Sequence, residues 1–253
     1  MPLLQDRTAI ISGASSGIGR AAALLFAREG ANLVLVARGA EPLREVAREV
    51  ESAGGKAICH AGDVSLPETH LTAVELALST FGRLDIGFNN AGTVGPVQPL
   101  AEIALADWQD VLATNLTSAF LAAKAQIPPM IERGTGSLIF TGSFVGNSVG
   151  LPGMGAYAAA KAGLTGLVKA ITADYAHLGI RANALLPGGT DTAMAGDEDQ
   201  KAWAASLHPV RRIARPEEIA NAALFLASDM ASFVNGSCLW ADGGNSATKI
   251  QAP

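Results

Sequence analysis

The sequence predicts an α/β fold, a doubly wound parallel sheet of about seven strands with helices on both faces. Three observations predict it. Short apolar runs alternate with helical patterns along most of the chain, and such alternation builds a parallel sheet covered by helices. The strand runs are apolar throughout rather than alternating, as expected where both sheet faces are buried. The first run enters its helix through a glycine-rich turn, Ser12-Gly13-Ala14-Ser15-Ser16-Gly17-Ile18-Gly19.

The elements follow in order. Residues 8–12 form a strand that ends in glycine, and 19–29 a helix with Ala23, Phe26 and Ala27 at helical spacing. Residues 32–37 are strongly β-like, and 41–53 form a charged amphipathic helix. Strand 56–60 precedes helix 67–81, and strand 84–89 precedes one long helix over 105–130. Strand 137–141, helix 155–178 and strand 181–186 come next, then helix 216–226 and a closing strand, 238–241. With no repeat, low-complexity tract or linker, residues 1–253 are expected to form a single domain. The polar stretch from about 190 to 215 is expected to be the most mobile part, a lid over a pocket.

Hydrophobic residues make up 49% and charged residues 16% of the 253, and the net charge is −5. No basic patch rich in aromatics stands out, which argues against a nucleic-acid partner. Cys59 and Cys238 lie far apart, so they suggest neither a disulfide framework nor a zinc site, and no metal is expected. The opening residues have no signal-peptide layout, and no apolar stretch of about 18 residues appears. The expectation is a cytoplasmic protein with no membrane partner.

The glycine turn carries the first functional signal. Glycines let the backbone approach a diphosphate, and the helix that follows offers free N–H groups and the positive end of its dipole. The spacing is GxxxGxG rather than GxGxxG, so its place after the first strand matters more than the glycines alone. The second strand ends Val36-Ala37-Arg38-Gly39. An acid there would bind ribose hydroxyls and repel a 2′-phosphate, whereas Arg38 can pair with that phosphate through its planar fork. NADP(H) is therefore favoured, with NAD(H) possible. Asp63, before Val64, can accept from the adenine amino group or simply cap the next turn.

Tyr157 and Lys161 are four residues apart and share one helix face. A free tyrosine titrates near ~10, and a nearby ammonium favours its phenolate and lowers that value. Such a tyrosine can give a proton to a developing alkoxide or take one from an alcohol. An isolated YxxxK is more often a core tyrosine and a solvated lysine. Here Ser143 follows the fifth strand, at the sheet edge where ligands bind. Asn115 interrupts an apolar helix and needs a partner, as a satisfied core amide or as a kink that holds a water.

These four residues and the glycine turn resemble the short-chain dehydrogenase/reductase family in its ordinary form of about 250 residues. The resemblance takes in Asn89-Asn90-Ala91-Gly92, Pro187-Gly188 and Asp242-Gly243-Gly244, and it covers nearly the whole chain. It implies a Rossmann-like fold and hydride transfer between NADP(H) and a ketone or secondary alcohol. By this resemblance Tyr157 is the general acid or base. Lys161 lowers its pKa and binds the nicotinamide ribose. Ser143 orients the carbonyl, and Asn115 holds a water that links Lys161 to solvent. Gly13, Ser15, Ser16, Gly17, Ile18 and Gly19 hold the diphosphate. Asn90, Ala91 and Gly92 line the adenosine ribose, and Pro187, Gly188, Thr190 and Thr192 position the nicotinamide. Two departures are Ser12, where threonine is usual, and Thr190, where an aliphatic residue is common. The resemblance also implies a homotetramer, with the two long helices buried between subunits.

Two other readings stand beside this one. A catalytically silent nicotinamide-binding sensor or scaffold need not keep all four residues. An enoyl reductase on the same scaffold spaces its tyrosine and lysine more widely. The substrate is left open. Met194, Trp203 and Leu207 are expected pocket walls, as are the stretches 94–97 and 144–154, with no clamp for a charged substrate. Arg211, Arg212 and Arg215 are the sole hint of a carrier-protein docking patch.

Overall fold

The computed structural model describes residues 2–248. Seven parallel strands lie in one sheet in the order β3-β2-β1-β4-β5-β6-β7. They are β1 (Thr8–Ser12), β2 (Asn32–Ala37), β3 (Lys56–Ala61), β4 (Ile86–Asn89), β5 (Gly136–Thr141), β6 (Ile180–Pro187) and β7 (Cys238–Ala241). The helices are α1 (Gly17–Arg28), α2 (Ala40–Ser52), α3 (Pro67–Phe81), α4 (Leu105–Leu112), α5 (Ser118–Arg133), α6 (Gly155–Tyr175), α7 (Glu198–Ser206) and α8 (Pro216–Ala227). Among the described residues, no helix is long and apolar enough to cross a membrane.

Successive side chains of a strand point to opposite faces, and that alternation splits the interior into two layers. Ile11, Leu33, Leu35, Phe88, Ile139 and Leu185 pack on one face under α1, α2 and α8. Ile10, Val34, Val36, Leu138, Phe140 and Leu186 pack on the other under α3, α5 and α6. The inner strands are thus covered by apolar side chains on both faces, which is why their runs show little polar alternation. The strand order reverses between β1 and β4, so the loops leaving their carboxyl ends diverge and open a crevice.

Two elements differ from the sequence expectation. The stretch 105–130 is not one regular helix: α4 and α5 are joined by a π-turn, Ala113–Thr117. There the Ser118 N–H reaches back five residues to Ala113, while the Asn115 side chain donates to the Val111 carbonyl. Helix α7 lies inside the stretch expected to be irregular. Its signal was a capping box: the Asp197 side chain accepts from Gln200 N and the Gln200 side chain from Asp197 N, both at 2.9 Å. It escaped the periodicity because α7 buries no residue fully.

Ser12 ties the sheet centre to the site. Its hydroxyl accepts from Asn90 N at 3.0 Å and Ala91 N at 3.1 Å, so serine supplies the hydroxyl that threonine would. Removing a buried acceptor of two amides costs about 1–3 kcal/mol. Ser12→Ala should lower stability by about that much in urea unfolding, and Ser12→Thr should stay near wild type.

Candidate active site

A cleft of about 1150 Å³ runs along the carboxyl ends of the strands. Each strand from β1 to β6 delivers residues to it: Gly13 after β1, Arg38 after β2, Asp63 after β3, Gly92 after β4, Ser143 after β5 and Gly188 after β6.

The turn after β1 needs its glycines. Gly13 and Gly17 have φ of 67° and 51°, the left-handed region that other side chains rarely adopt. A Cβ at Gly13 would meet Ala91 and Asn90 at 3.0 Å, and one at Gly17 would meet Thr192 at 2.9 Å. Ser15, Ser16 and Ile18 also line the cleft, but Gly19 does not. A Cβ at Gly19 would collide with the Gly13 carbonyl, so Gly19 lets the turn close rather than facing a ligand. Helix α1 begins with no side-chain cap and no acid in its first turn. Its first N–H groups thus point at the cleft without a competing anion, and this cradle suits a dinucleotide diphosphate.

At the end of the cleft beside β2 and β3, Arg38 and Val64 line it with Asp63. Asp63 Oδ1 accepts from Ser65 N and Ser65 Oγ, both at 2.8 Å. Those bonds, assisted by the charge of Arg38, hold its carboxyl below the usual range. The turn-cap reading of Asp63 is therefore realised, through one of its two oxygens. Among the described residues no carboxylate lies within ion-pair distance of exposed Arg38.

At the other end Ser143, Tyr157 and Lys161 converge, beside Asn90, Ala91 and Gly92. All three converging side chains are buried. Lys161 Nζ donates to the Thr141 carbonyl at 2.6 Å and stands 5.6 Å from the Tyr157 ring centroid. Burial drives the Lys161 pKa down to about 8. Burial also pushes the Tyr157 hydroxyl up, and Ser143 opposes this by side-chain hydrogen bonding. In the cofactor-free chain the net direction for Tyr157 is therefore upward, because desolvation of the phenol outweighs the Ser143 hydrogen bond, while the Lys161 ammonium is hydrogen-bonded to Thr141.

Asn115 does not line the cleft. It sits behind Gly92, where a Cβ would come 2.7 Å from Asn115 Oδ1 and 3.2 Å from Lys161 Nζ. Its amide donates to the carbonyls of Thr93 (2.8 Å) and Val111 (2.9 Å) and accepts from Thr93 N at 3.1 Å. It is thus both a satisfied amide and part of a helix irregularity. Asn147 was not singled out from sequence. Its side chain bonds the carbonyls of Ser143 (2.9 Å) and Lys161 (3.3 Å), joining the serine loop to α6.

Pro187, Gly188, Thr190 and Thr192 line the cleft, as do Met194, Trp203 and Leu207. Thr190 donates to the Gly188 carbonyl at 3.1 Å, and Thr192 lies against Gly17 across the phosphate turn. Residues 94–97 and Phe144, Val145, Leu151 and Met154 complete the walls. His208 also lines the cleft. Sequence reasoning missed it, since a histidine in a non-periodic stretch carries no spacing signal. Arg212 and Arg215 both pair with Glu218, which weakens the docking-patch hint.

Comparison with known proteins agrees with this geometry. A family model described as enoyl-(acyl carrier protein) reductase matches residues 13–246. The chain is 39% identical over 238 residues to a cyclohexanol dehydrogenase of Acinetobacter sp., covering 94% of each. It is 42% identical over 247 residues to a 2,5-dichloro-2,5-cyclohexadiene-1,4-diol dehydrogenase of Sphingobium indicum, covering 95% of this chain and 97% of the relative. A crystal structure of a short-chain type dehydrogenase/reductase from Mycobacterium marinum superposes with a TM-score of 0.93 at 34% identity, over 97% of each chain. The chain belongs to the short-chain dehydrogenase/reductase family. It is a nicotinamide-dependent oxidoreductase of alcohol and carbonyl groups, and nothing in these likenesses favours a silent sensor.

The depressed Lys161 pKa has a consequence for stability. Between about pH 8 and 10.5 the unfolded chain binds a proton at Lys161 that the folded chain lacks, so stability rises with pH there. The expected gain from this group between pH 8 and pH 10 is about 2 kcal/mol. Urea unfolding of wild type and Lys161→Met at the two pH values isolates it, because the variant should lack that increment.

Proposed function

We propose that the protein transfers hydride between NADP(H) and an uncharged ketone or secondary alcohol carried on a ring. The observation that carries this reading is the convergence of Ser143, Tyr157 and Lys161 at one end of a cleft with a phosphate-binding turn in its middle. The bound nicotinamide supplies or takes the hydride.

The protein's own residues handle the proton. Burial holds the proton on Tyr157, so the phenol is set to donate to an oxygen that gains charge and to recover the proton afterwards. Ser143 fixes that oxygen beside the phenol. Lys161, titrating at about 8, is mostly cationic at neutral pH and stabilises the phenolate formed after donation. Both amide hydrogens of Asn115 are engaged and its oxygen already accepts from Thr93 N, so holding a water between Lys161 and solvent falls to its main chain in the π-turn. The four-residue spacing of Tyr157 and Lys161 on α6 is that of the carbonyl-reducing members the chain resembles, rather than the wider spacing of the enoyl reductases. The segment 190–215 acts as a lid, with Thr192 closing over the phosphate turn.

Arg38 supports the NADP(H) preference: it is exposed, faces the cleft and is free to take a 2′-phosphate. The substrate walls are apolar: Val94, Val145, Leu151, Met154, Trp203 and Leu207. Among the described residues the only cations that line the cleft are Arg38 and Lys161, while Asp107 and Asp110 add negative charge. A carboxylated substrate finds no counter-charge there. The two relatives named for ring alcohols support the choice of a ring alcohol.

A homotetramer fits the apolar side chains left exposed: Leu105 and Phe120 on α4 and α5, and Phe233 and Trp240 near the β7 edge. The free thiols of Cys59 and Cys238 accord with a reducing cytoplasm.

Turnover of cyclohexanol-type substrates tests the reaction. Tyr157→Phe should lower kcat by about 100-fold or more while retaining NADPH binding. Arg38→Leu should raise the KM for NADPH about tenfold or more and leave NADH little changed. A wild-type preference for NADH would contradict the role of Arg38. Kinetics on a ring alcohol and its carboxylated analogue should favour the neutral compound.

A further inference from the structure

His208 does work that the proposed reaction does not require. Its residue is 2% exposed. Nε2 accepts the Gly189 N–H at 2.9 Å, and Nδ1 lies 2.7 Å from the Ala204 carbonyl. A carbonyl only accepts and an amide N–H only donates, so the ring proton sits on Nδ1. The ring stands edge-on to Phe144, with centroids 5.9 Å apart and planes at 69°. One imidazole therefore bonds the turn after β6, bonds α7 and packs on the neighbour of Ser143. Gly188 leaves room for it, since a Cβ there would collide with Nε2.

Lys201 ties α7 to Asp191 at 3.0 Å and pairs with Glu198, inside the helix, at 3.0 Å. Both carboxylates are exposed, and such pairs contribute little. Asn245 donates to the Leu207 carbonyl at 2.9 Å. Behind the imidazole, a cavity of about 190 Å³ is lined by Arg212, Glu218 and Asp242. Arg212 is bonded to Glu218, and the Asp242 carboxylate accepts from Gly244 N and Ser246 N. These charges are thus satisfied elsewhere and do not compete for the ring.

We propose that His208 is a positioning residue that locks the Pro187–Thr190 turn to α7. The turn that faces the nicotinamide and the substrate wall carried by α7 then move as one body. The functional part of this inference rests on the nicotinamide reading of that turn. The mechanical part does not.

Hydrogen–deuterium exchange on the full-length chain without cofactor tests the lock. In His208→Leu, peptides covering Gly189 and residues 198–207 should exchange at least about tenfold faster, with β1, β4 and β5 unchanged. His208→Gln presents an amide oxygen to Gly189 N and should restore its protection to within about threefold. In kinetics, His208→Leu should raise the KM for NADPH and for the ring alcohol together, with kcat within about threefold. Wild-type exchange at both segments, or acceleration spread evenly through the core strands, would overturn the lock. A wild type that fails to bind NADPH would count against the functional reading alone, because the exchange arm uses no cofactor.

Discussion

The site depends on the burial of two ionisable groups side by side. Lys161 keeps an ammonium in the protein interior with the Thr141 carbonyl as its hydrogen-bond partner. Tyr157 keeps a phenol there with Ser143. Water would stabilise the charged form of each, and burial disfavours it. The fold has to supply this desolvated corner without collapsing into it, and the rest of the structure shows how it does so.

The sheet supplies the walls. Thr141 ends β5, and its carbonyl accepts from Lys161, near the start of α6. Gly92 keeps the space between Asn115 and Lys161 open, since any Cβ there would press on both. Asn147 clamps the serine loop to the main chain of α6. The Ser12 hydroxyl fixes Asn90 and Ala91. Most of these contacts use backbone groups, so the geometry is set by strand register rather than by flexible side chains.

Much of this was legible in sequence. All seven strands lie where apolar runs place them, to within two residues; burial on both faces leaves an unbroken signal in the five inner strands. The tyrosine, lysine and serine could be paired from spacing and strand ends. The π-turn could not, because a polar residue in an apolar helix has the same appearance whether the helix is regular or bulged. Helix α7 had a cap but no apolar stripe. His208 had no pattern at all, since its partners are a backbone amide and a backbone carbonyl contributed by different segments. The burial that raises Tyr157 was not legible either, because spacing shows that a lysine is near but not how far both groups are desolvated.

The chain holds two tyrosines, Tyr157 and Tyr175, so phenolate absorbance can be assigned by replacing Tyr175. The most direct measurement is an ultraviolet pH titration of the Tyr175→Phe protein without cofactor. Tyr157 should ionise above the ordinary phenol value of ~10, because burial outweighs every nearby favourable group. Ionisation well below that value in the cofactor-free protein would contradict the account.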